Sequence, residues 1–286
     1  MSLTGKAMVA GVMGWPVGHS RSPALHGRWI ARYRLDAAYV PLAVQPNALG
    51  AALRALPALG LRGVNLTLPH KETALRHVDT VDAMGRRIGA INTVVVTEDG
   101  ALAGSNTDGY GFIENLRAGA PGWDAAAGSA VLLGAGGAAR GVCAALLDAG
   151  VSEIRIVNRT RERAEALAAE FGSACAAIPW AERSEALAAG ALLVNTTSLG
   201  MVGQPPLDLA LDDLPPEAIV NDIVYVPLET PLLAAARARG NAVVDGLGML
   251  LHQGRPGFAA WFGVEPEVTS SLHGEIAAEI AAEMGA

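Results

Sequence analysis

Residues 129–150 read SAVLLGAGGAARGVCAALLDAG, and residues 154–160 read IRIVNRT. The apolar run 130–133 suits a buried parallel strand. Gly134, Gly136 and Gly137 follow at once, and Ala139 stands where a G-x-G-x-x-G/A turn places its last small residue. Gly134 suits the tight turn, with Ala135 beside it. Gly136 lacks a Cβ, so a pyrophosphate can approach its backbone, and the helix opening here aims its first N–H groups at that position. Ala138 and Ala139 are small enough to let the helix lie close to the sheet. The next apolar run, 154–157, ends at Asn158, near the place about 20 residues on where a ribose-reading residue belongs. Strand, glycine turn, helix and strand in this order read as a dinucleotide unit. The competing reading is a plain helix entry in an alanine-rich chain.

The ribose position separates the two nicotinamide dinucleotides. An acidic residue there bonds the ribose hydroxyls and repels a 2′-phosphate, whereas this chain has neutral Asn158, then Arg159, Thr160, Arg161 and Arg163. Guanidinium forks suit a phosphate, which favours NADP over NAD. With Glu162 and Glu165 among them, the arginines also read as the solvated start of a helix.

Composition sets the frame. The 286 residues are enough for two modest domains, and with 51% hydrophobic but only 5% aromatic residues the core is expected to be aliphatic. A net charge of −7 argues against nucleic acid or an anionic membrane as partner. Cys143 and Cys175 form neither a disulfide framework nor a metal-binding spacing, so no metal is expected, and Cys143 reads as a buried thiol in an apolar helix. No targeting segment or membrane span is legible, which makes a cytoplasmic soluble protein the expectation. Of 21 basic residues only Lys6 and Lys71 are lysines. Where almost every cation is arginine, a mid-chain lysine points to a task that arginine cannot do, namely giving up and taking back a proton.

Taken in order, the first apolar run, 7–13, ends in a loop punctuated by glycine and proline. Ser20 and Ser22 flank Arg21 there, with Ser22 as the cap of a helix whose first turn holds Pro23. Two hydroxyls at a helix start suit a carboxylate. Further strands are expected at 38–42, 63–68, 94–96 and 102–105, and a helix at 48–58. Asn65 and Thr67 fall on one side of their strand by period-two alternation. Lys71 then opens a helix whose dipole disfavours its charged form. Neighbouring His70 reads as a surface or packing residue. Asn92, Asn106 and Asp108 lie on connections near strand ends, where α/β sheets place ligands. Beyond the glycine turn, strands are expected at 191–195, 219–224 and 242–245, and helices at 162–170, 230–239, 249–262 and 273–284. A Lys71–Asp108 pair can serve hydride chemistry in both directions, since a ketone reduced needs a proton and an alcohol oxidised needs a base. The same two residues also read as a structural ion pair.

Together these blocks resemble the shikimate dehydrogenases, the family that includes the quinate/shikimate enzymes. They run GWPVGHSRSPALHG (14–27), VNLTLPHK (64–71), GAINT (89–93), NTDGYG (106–111), GAGGAAR (134–140), NRT (158–160), NTTSLGM (195–201), DIVYVPLETPL (222–232) and DGLGMLLHQG (245–254). The resemblance implies an α/β protein of two domains. Residues 1–110 plus 250–286 would form the substrate domain, with the C-terminal helices packing back on it, and 111–249 a Rossmann-type NADP domain. It implies reversible NADPH-dependent reduction of 3-dehydroshikimate to shikimate. Lys71 would be the catalytic acid/base, with Asp108 as its partner. Ser20 and Ser22 would bind the substrate carboxylate, Asn65, Thr67 and Asn92 the ring hydroxyls, and Tyr225 and Gln253 would also approach the substrate. Gly134, Ala135, Gly136, Gly137 and Ala138 would hold the pyrophosphate, and Asn158, Arg159 and Thr160 the adenosine end. Thr196 and Ser198 would belong to the cofactor site, with Gly246 and Met249 lining the nicotinamide end. No metal is implied, and a monomer or homodimer with a small-molecule substrate is expected. Gly27 stands where the family usually has Asn, and leucines in VNLTLPHK replace commoner valines. Enzymes of similar build act on quinate or related acids, and a non-catalytic NADP-binding regulatory protein is the remaining alternative.

Overall fold

The computed structural model describes residues 3–284. It divides into two compact units. One takes the chain up to Thr107 together with Gln253–Leu272, and the other takes Asp108–His252 and the chain from His273 on. The sequence sets the limits at 110 and 250 and gives all of 250–286 to the first unit, whereas the chain from His273 on groups with the second. The first division falls where a helix begins, at Asp108.

The first unit contains β1 (Met8–Gly14), α1 (Ser22–Arg32), β2 (Ala37–Ala43), α2 (Leu49–Ala55), β3 (Leu61–Leu66), α3 (His70–Thr73), β4 (Thr80–Val81), α4 (Ala83–Ile88), β5 (Thr93–Val96) and β6 (Leu102–Ser105). The strands form one mixed sheet in the order β2-β1-β3-β5-β6-β4. β1 runs parallel to β2 and β3, while β5 runs antiparallel to β3 and to β6. Pairing Asn65 with Thr93, and Thr93 with Ser105, brings the end of β3, the start of β5 and the end of β6 together at one end of these interior strands. One face packs Met13, Leu49, Leu53, Val64, Leu66 and Leu102 into an aliphatic core.

The chain's few aromatics gather elsewhere in this unit. His26 stacks on Tyr39 with ring centroids 4.0 Å apart and planes 2° from parallel. Trp29, Phe258 and Trp261 stand 5.4 to 5.8 Å from the same imidazole. Composition concealed this cluster, because a low average does not exclude local concentration.

The second unit contains α5 (Asp108–Gly119), β7 (Ser129–Leu133), α6 (Gly137–Ala149), β8 (Ile154–Asn158), α7 (Arg161–Phe171), β9 (Cys175–Pro179), β10 (Gly190–Asn195), β11 (Ile219–Asp222), α8 (Pro231–Ala238) and β12 (Ala242–Val244). Two helices follow, α9 (Leu247–Phe262) and α10 (Ser270–Met284). Its sheet is wholly parallel, in the order β12-β11-β10-β7-β8-β9. That is the doubly wound order, which reverses between β7 and β10. Alternation along β7 serves two cores. Ala130 and Leu132 face α5 and α6, while Val131 and Leu133 face Leu187, Leu214, Leu232 and Leu233. The expected α/β fold, with a Rossmann-type unit and a second α/β unit, is present. Phe258 and Trp261 of α9 pack on the first unit, as expected for a returning C-terminal segment. Among the described residues no helix is long and apolar enough to cross a membrane.

Candidate active site

In the first unit Asn65, Asn92 and Gln253, of the polar residues expected there, meet at the strand ends defined above and are wired together. The Tyr39 phenol donates to Asn65 Oδ1 at 2.6 Å, and Asn65 Nδ2 donates to the Asn92 carbonyl and Thr93 Oγ1, each at 3.1 Å. Asn92 Oδ1 accepts from the Thr107 N–H at 2.9 Å and from the Thr93 and Thr107 hydroxyls at 3.1 Å. The Asn92 amide donates to Gln253 Oε1 at 3.3 Å, and the single Thr107 hydroxyl proton is shared between Asn92 Oδ1 and the Gln253 carbonyl, 2.9 Å away. Asn65, Asn92 and Gln253 are therefore in one continuous network. All three are buried, so their amide orientations are set by these partners. Thr107, which precedes Asp108, is pinned by Asn92. Tyr39, Thr93 and Thr107 are structural members of this network that the sequence reading did not assign.

Ser22 is not the cap expected of it. Arg21 occupies that position without a side-chain cap bond, and Ser22 is the first helical residue, with Pro23 next. The Ser22 N–H donates to Ser20 Oγ at 3.3 Å, so Ser20 satisfies a donor of the helix start. The helix thus starts one residue earlier than expected, and Pro23 at its second position still lies in the first turn, where a missing N–H costs no helical bond. Thr67 follows β3, its N–H held by the Met13 carbonyl at 2.9 Å. Lys71 lies in α3, a single turn of four residues, so the expected helix dipole is that of one turn only. Its carbonyl accepts from the Ile91 N–H at 2.9 Å, which ties the turn to these strand ends. His70 is a buried packing residue, its Nε2 donating to the Val44 carbonyl at 2.9 Å.

In the second unit the glycine turn has the expected shape. Gly134 has φ +109°, and a Cβ there would stand 2.6 Å from Thr196 Oγ1, so both conformation and space demand glycine. Thr196 in turn donates to the Leu133 carbonyl at 2.6 Å, joining β10 to the turn after β7. Above Gly136 and Gly137 a Cβ would meet nothing within 4 Å, and no side chain caps α6. The backbone is thus open where a pyrophosphate needs it, and the N–H groups of the first turn of α6 are available to an anion. Ala139 is buried as expected. Ala138 is exposed beside the open glycines rather than packed on the sheet, because successive helix positions face different ways.

At the far end of β8 the Asn158 amide donates to the Thr160 carbonyl at 2.8 Å, shaping the turn that carries Arg159 and Thr160 to the surface. Arg161 is taken up by Glu165 at 2.7 Å, an i,i+4 pair, so the solvated-helix reading holds for that residue. After β10, Asn195 accepts from the Thr197 N–H and hydroxyl and donates to the Leu199 carbonyl, which shapes the loop bearing Thr196 and Ser198. Asn195 also donates to buried Asp222 at 3.0 Å, and Thr230 donates to the same carboxylate at 2.8 Å. Burial pushes the Asp222 carboxyl up, against the pull of these hydrogen bonds and of the Val224 N–H. This anchor directs the loop carrying Tyr225, and no local sequence pattern announces it.

Gly246 is required by the backbone, since a Cβ would stand 2.2 Å from the Ile223 carbonyl oxygen. Met249 is partly buried against the core of the second unit. Asp245 accepts from the Leu247 N–H at 2.9 Å and contacts His273 Nε2 at 3.4 Å. That hydrogen bond holds the His273 imidazole above its ordinary range. Burial raises the Asp245 carboxyl, but His273 and the helix N–H groups outweigh it and leave it low. Among the described residues no group of three or more His, Cys, Asp or Glu is placed to hold a metal ion.

A chain with a doubly wound nucleotide unit bearing an open glycine turn and a second α/β unit carrying a buried polar network and a lysine is a dinucleotide-dependent oxidoreductase. Comparison with known proteins narrows this. The profile of the shikimate dehydrogenase substrate binding domain matches residues 12–94, and that of shikimate / quinate 5-dehydrogenase matches residues 122–201. A shikimate dehydrogenase (NADP(+)) of Rhodospirillum rubrum is 63% identical over 279 residues, covering 96% of this chain and 98% of that protein. The crystal structure of shikimate 5-dehydrogenase from Thermus thermophilus in complex with NADP(H) and shikimate superposes with a TM-score of 0.83 at 41% identity, over 96% of this chain and 99% of that one. Quinate dehydrogenase from Corynebacterium glutamicum in complex with NAD gives a TM-score of 0.87 at 31% identity, over 95% and 99%. The chain belongs to the shikimate dehydrogenase family.

Proposed function

We propose that this chain catalyses the reversible, NADP-dependent reduction of 3-dehydroshikimate to shikimate. The observation that carries the reading is the 63% identity, over nearly the full length of both chains, to a shikimate dehydrogenase that uses NADP(+). The open backbone above Gly136 and Gly137, with the uncapped start of α6, fits a dinucleotide pyrophosphate. When bound, NADPH supplies the hydride. Lys71 gives a proton from Nζ to the carbonyl oxygen as that oxygen becomes an alcohol, and takes it back when the alcohol is oxidised. Asp108 is the second member of the acid–base pair. Ser20 and Ser22 hold the carboxylate, and Asn65, Thr67, Asn92, Tyr225 and Gln253 read the rest of the ring. Arg159 recognises the 2′-phosphate, while Asn158 and Thr160 shape the turn that presents it. Thr196 and Ser198, with Gly246 and Met249, complete the cofactor site.

Initial rates with shikimate and quinate, each against NADP and NAD, test the reading. The highest kcat/KM is expected for shikimate with NADP. Faster turnover of quinate would assign the chain to the sister activity, and absence of turnover with either acid would remove the enzymatic reading. Arg159→Glu is expected to raise the KM for NADP by about tenfold, equivalent to about 1.4 kcal/mol, while leaving the KM for NAD nearly unchanged. An equal change for both cofactors would move phosphate recognition away from Arg159.

A further inference from the structure

Tyr39 lies on β2, and Asn65 lies on β3 with β1 between them. Register places Ala10 of β1 between Tyr39 and Gly63, and Val12 opposite Asn65. The phenol and the amide therefore meet across two strand spacings, roughly 9–10 Å. The small side of Ala10 leaves room for the tyrosine ring to cross. His26 fixes that ring by stacking on it, and Trp261 stands 6.0 Å away.

The polarity of the network follows from its geometry. Asn65 Nδ2 is committed to the Asn92 carbonyl and Thr93 Oγ1, so Oδ1 must be the atom facing Tyr39, and the phenol must donate. One buried phenol thus holds the orientation of an asparagine proposed to read a ring hydroxyl. Burial pushes the phenol above its ordinary range, against a smaller opposing influence of Ser22, so its proton is in place at neutral pH.

We propose that Tyr39 is a positioning residue of the substrate site, setting the orientation of Asn65 without touching the substrate. The inference rests on the proposed activity. It assigns to this chain a determinant of acid binding outside the residues expected from the family pattern.

Tyr39→Phe removes the hydroxyl and keeps the stack with His26. The KM for shikimate is expected to rise about tenfold, the loss of one orienting hydrogen bond, while kcat and the KM for NADP stay within about twofold and Tm moves by only a few degrees. In an Asn65→Ala background the same substitution is expected to add less than it does alone, because Tyr39 acts through that amide. An unchanged KM for shikimate would overturn the positioning role, as would full additivity with Asn65→Ala. A matching rise in both KM values with a lowered Tm would reduce Tyr39 to a packing residue and overturn it too. Failure of the proposed activity looks different, since the unsubstituted protein itself would then fail to oxidise shikimate, and both readings would fall.

Discussion

Lys71→Ala is expected to lower kcat for shikimate oxidation by about 10² to 10⁴-fold, the range that a general acid–base group contributes, with NADP binding unchanged. The fold should survive, because the Lys71 carbonyl that accepts from the Ile91 N–H is one that any residue supplies. The side chain is half-buried rather than part of a core. Lys71→Arg sharpens the test. It keeps a positive charge, but a guanidinium does not give up its proton at any working pH. A proton-transfer role predicts that both variants are almost equally impaired. If Lys71→Arg kept most of the activity, the lysine would serve by charge alone. The measurement is single-turnover oxidation of shikimate followed at the reduced-nicotinamide absorbance, with cofactor affinity taken from a separate titration.

The second large effect is on stability in acid. His26 is fully enclosed by aromatic rings, and neither ring nitrogen has a hydrogen-bond partner. Burial alone lowers its pKa from 6.5 to about 3. The folded ring stays neutral where the unfolded ring takes up a proton, so this contribution is complete above 6.5 and is lost as pH falls from 6.5 towards 3. By about pH 4.5 the loss relative to neutral pH is roughly 3 kcal/mol, at about 1.4 kcal/mol per unit. In His26→Phe this slope should vanish, whatever the substitution does to stability at neutral pH. Urea unfolding at the two pH values reads it directly. Equal acid slopes for the two proteins would mean that the imidazole is not held neutral by the fold.

How much of this was legible in the residues depends on the range of the interaction. The nucleotide unit was readable because its signals are local: apolar runs in β7 and β8, a glycine that must turn, and glycines left open at the start of α6. β9 is not legible, since Cys175–Pro179 is alanine-rich and carries little strand propensity, and α4 is too short at six residues to show a helical period. Lys71 stood out only because arginine fills almost every other cationic position. The polar network stayed hidden in part for a different reason. Tyr39 and Asn65 are 26 positions apart, and Thr107 and Gln253 are 146 apart. Sheet register and a returning helix bring them together, and no periodicity encodes either pairing. The cap expected of Ser22 missed by one residue, since the Ser20 hydroxyl takes up the Ser22 N–H and Ser22 is itself the first helical residue.

The closed network of Asn65, Asn92, Thr93 and Thr107 also bears on the thermodynamics of ligand capture. Immobilising a rotamer-rich side chain on binding costs about 0.5–1.5 kcal/mol each. Here Asn65 and Asn92 are already held by neighbours inside their own unit. A small, densely polar acid meets amides whose entropy was surrendered once, when the chain folded, and need not be surrendered again at each encounter.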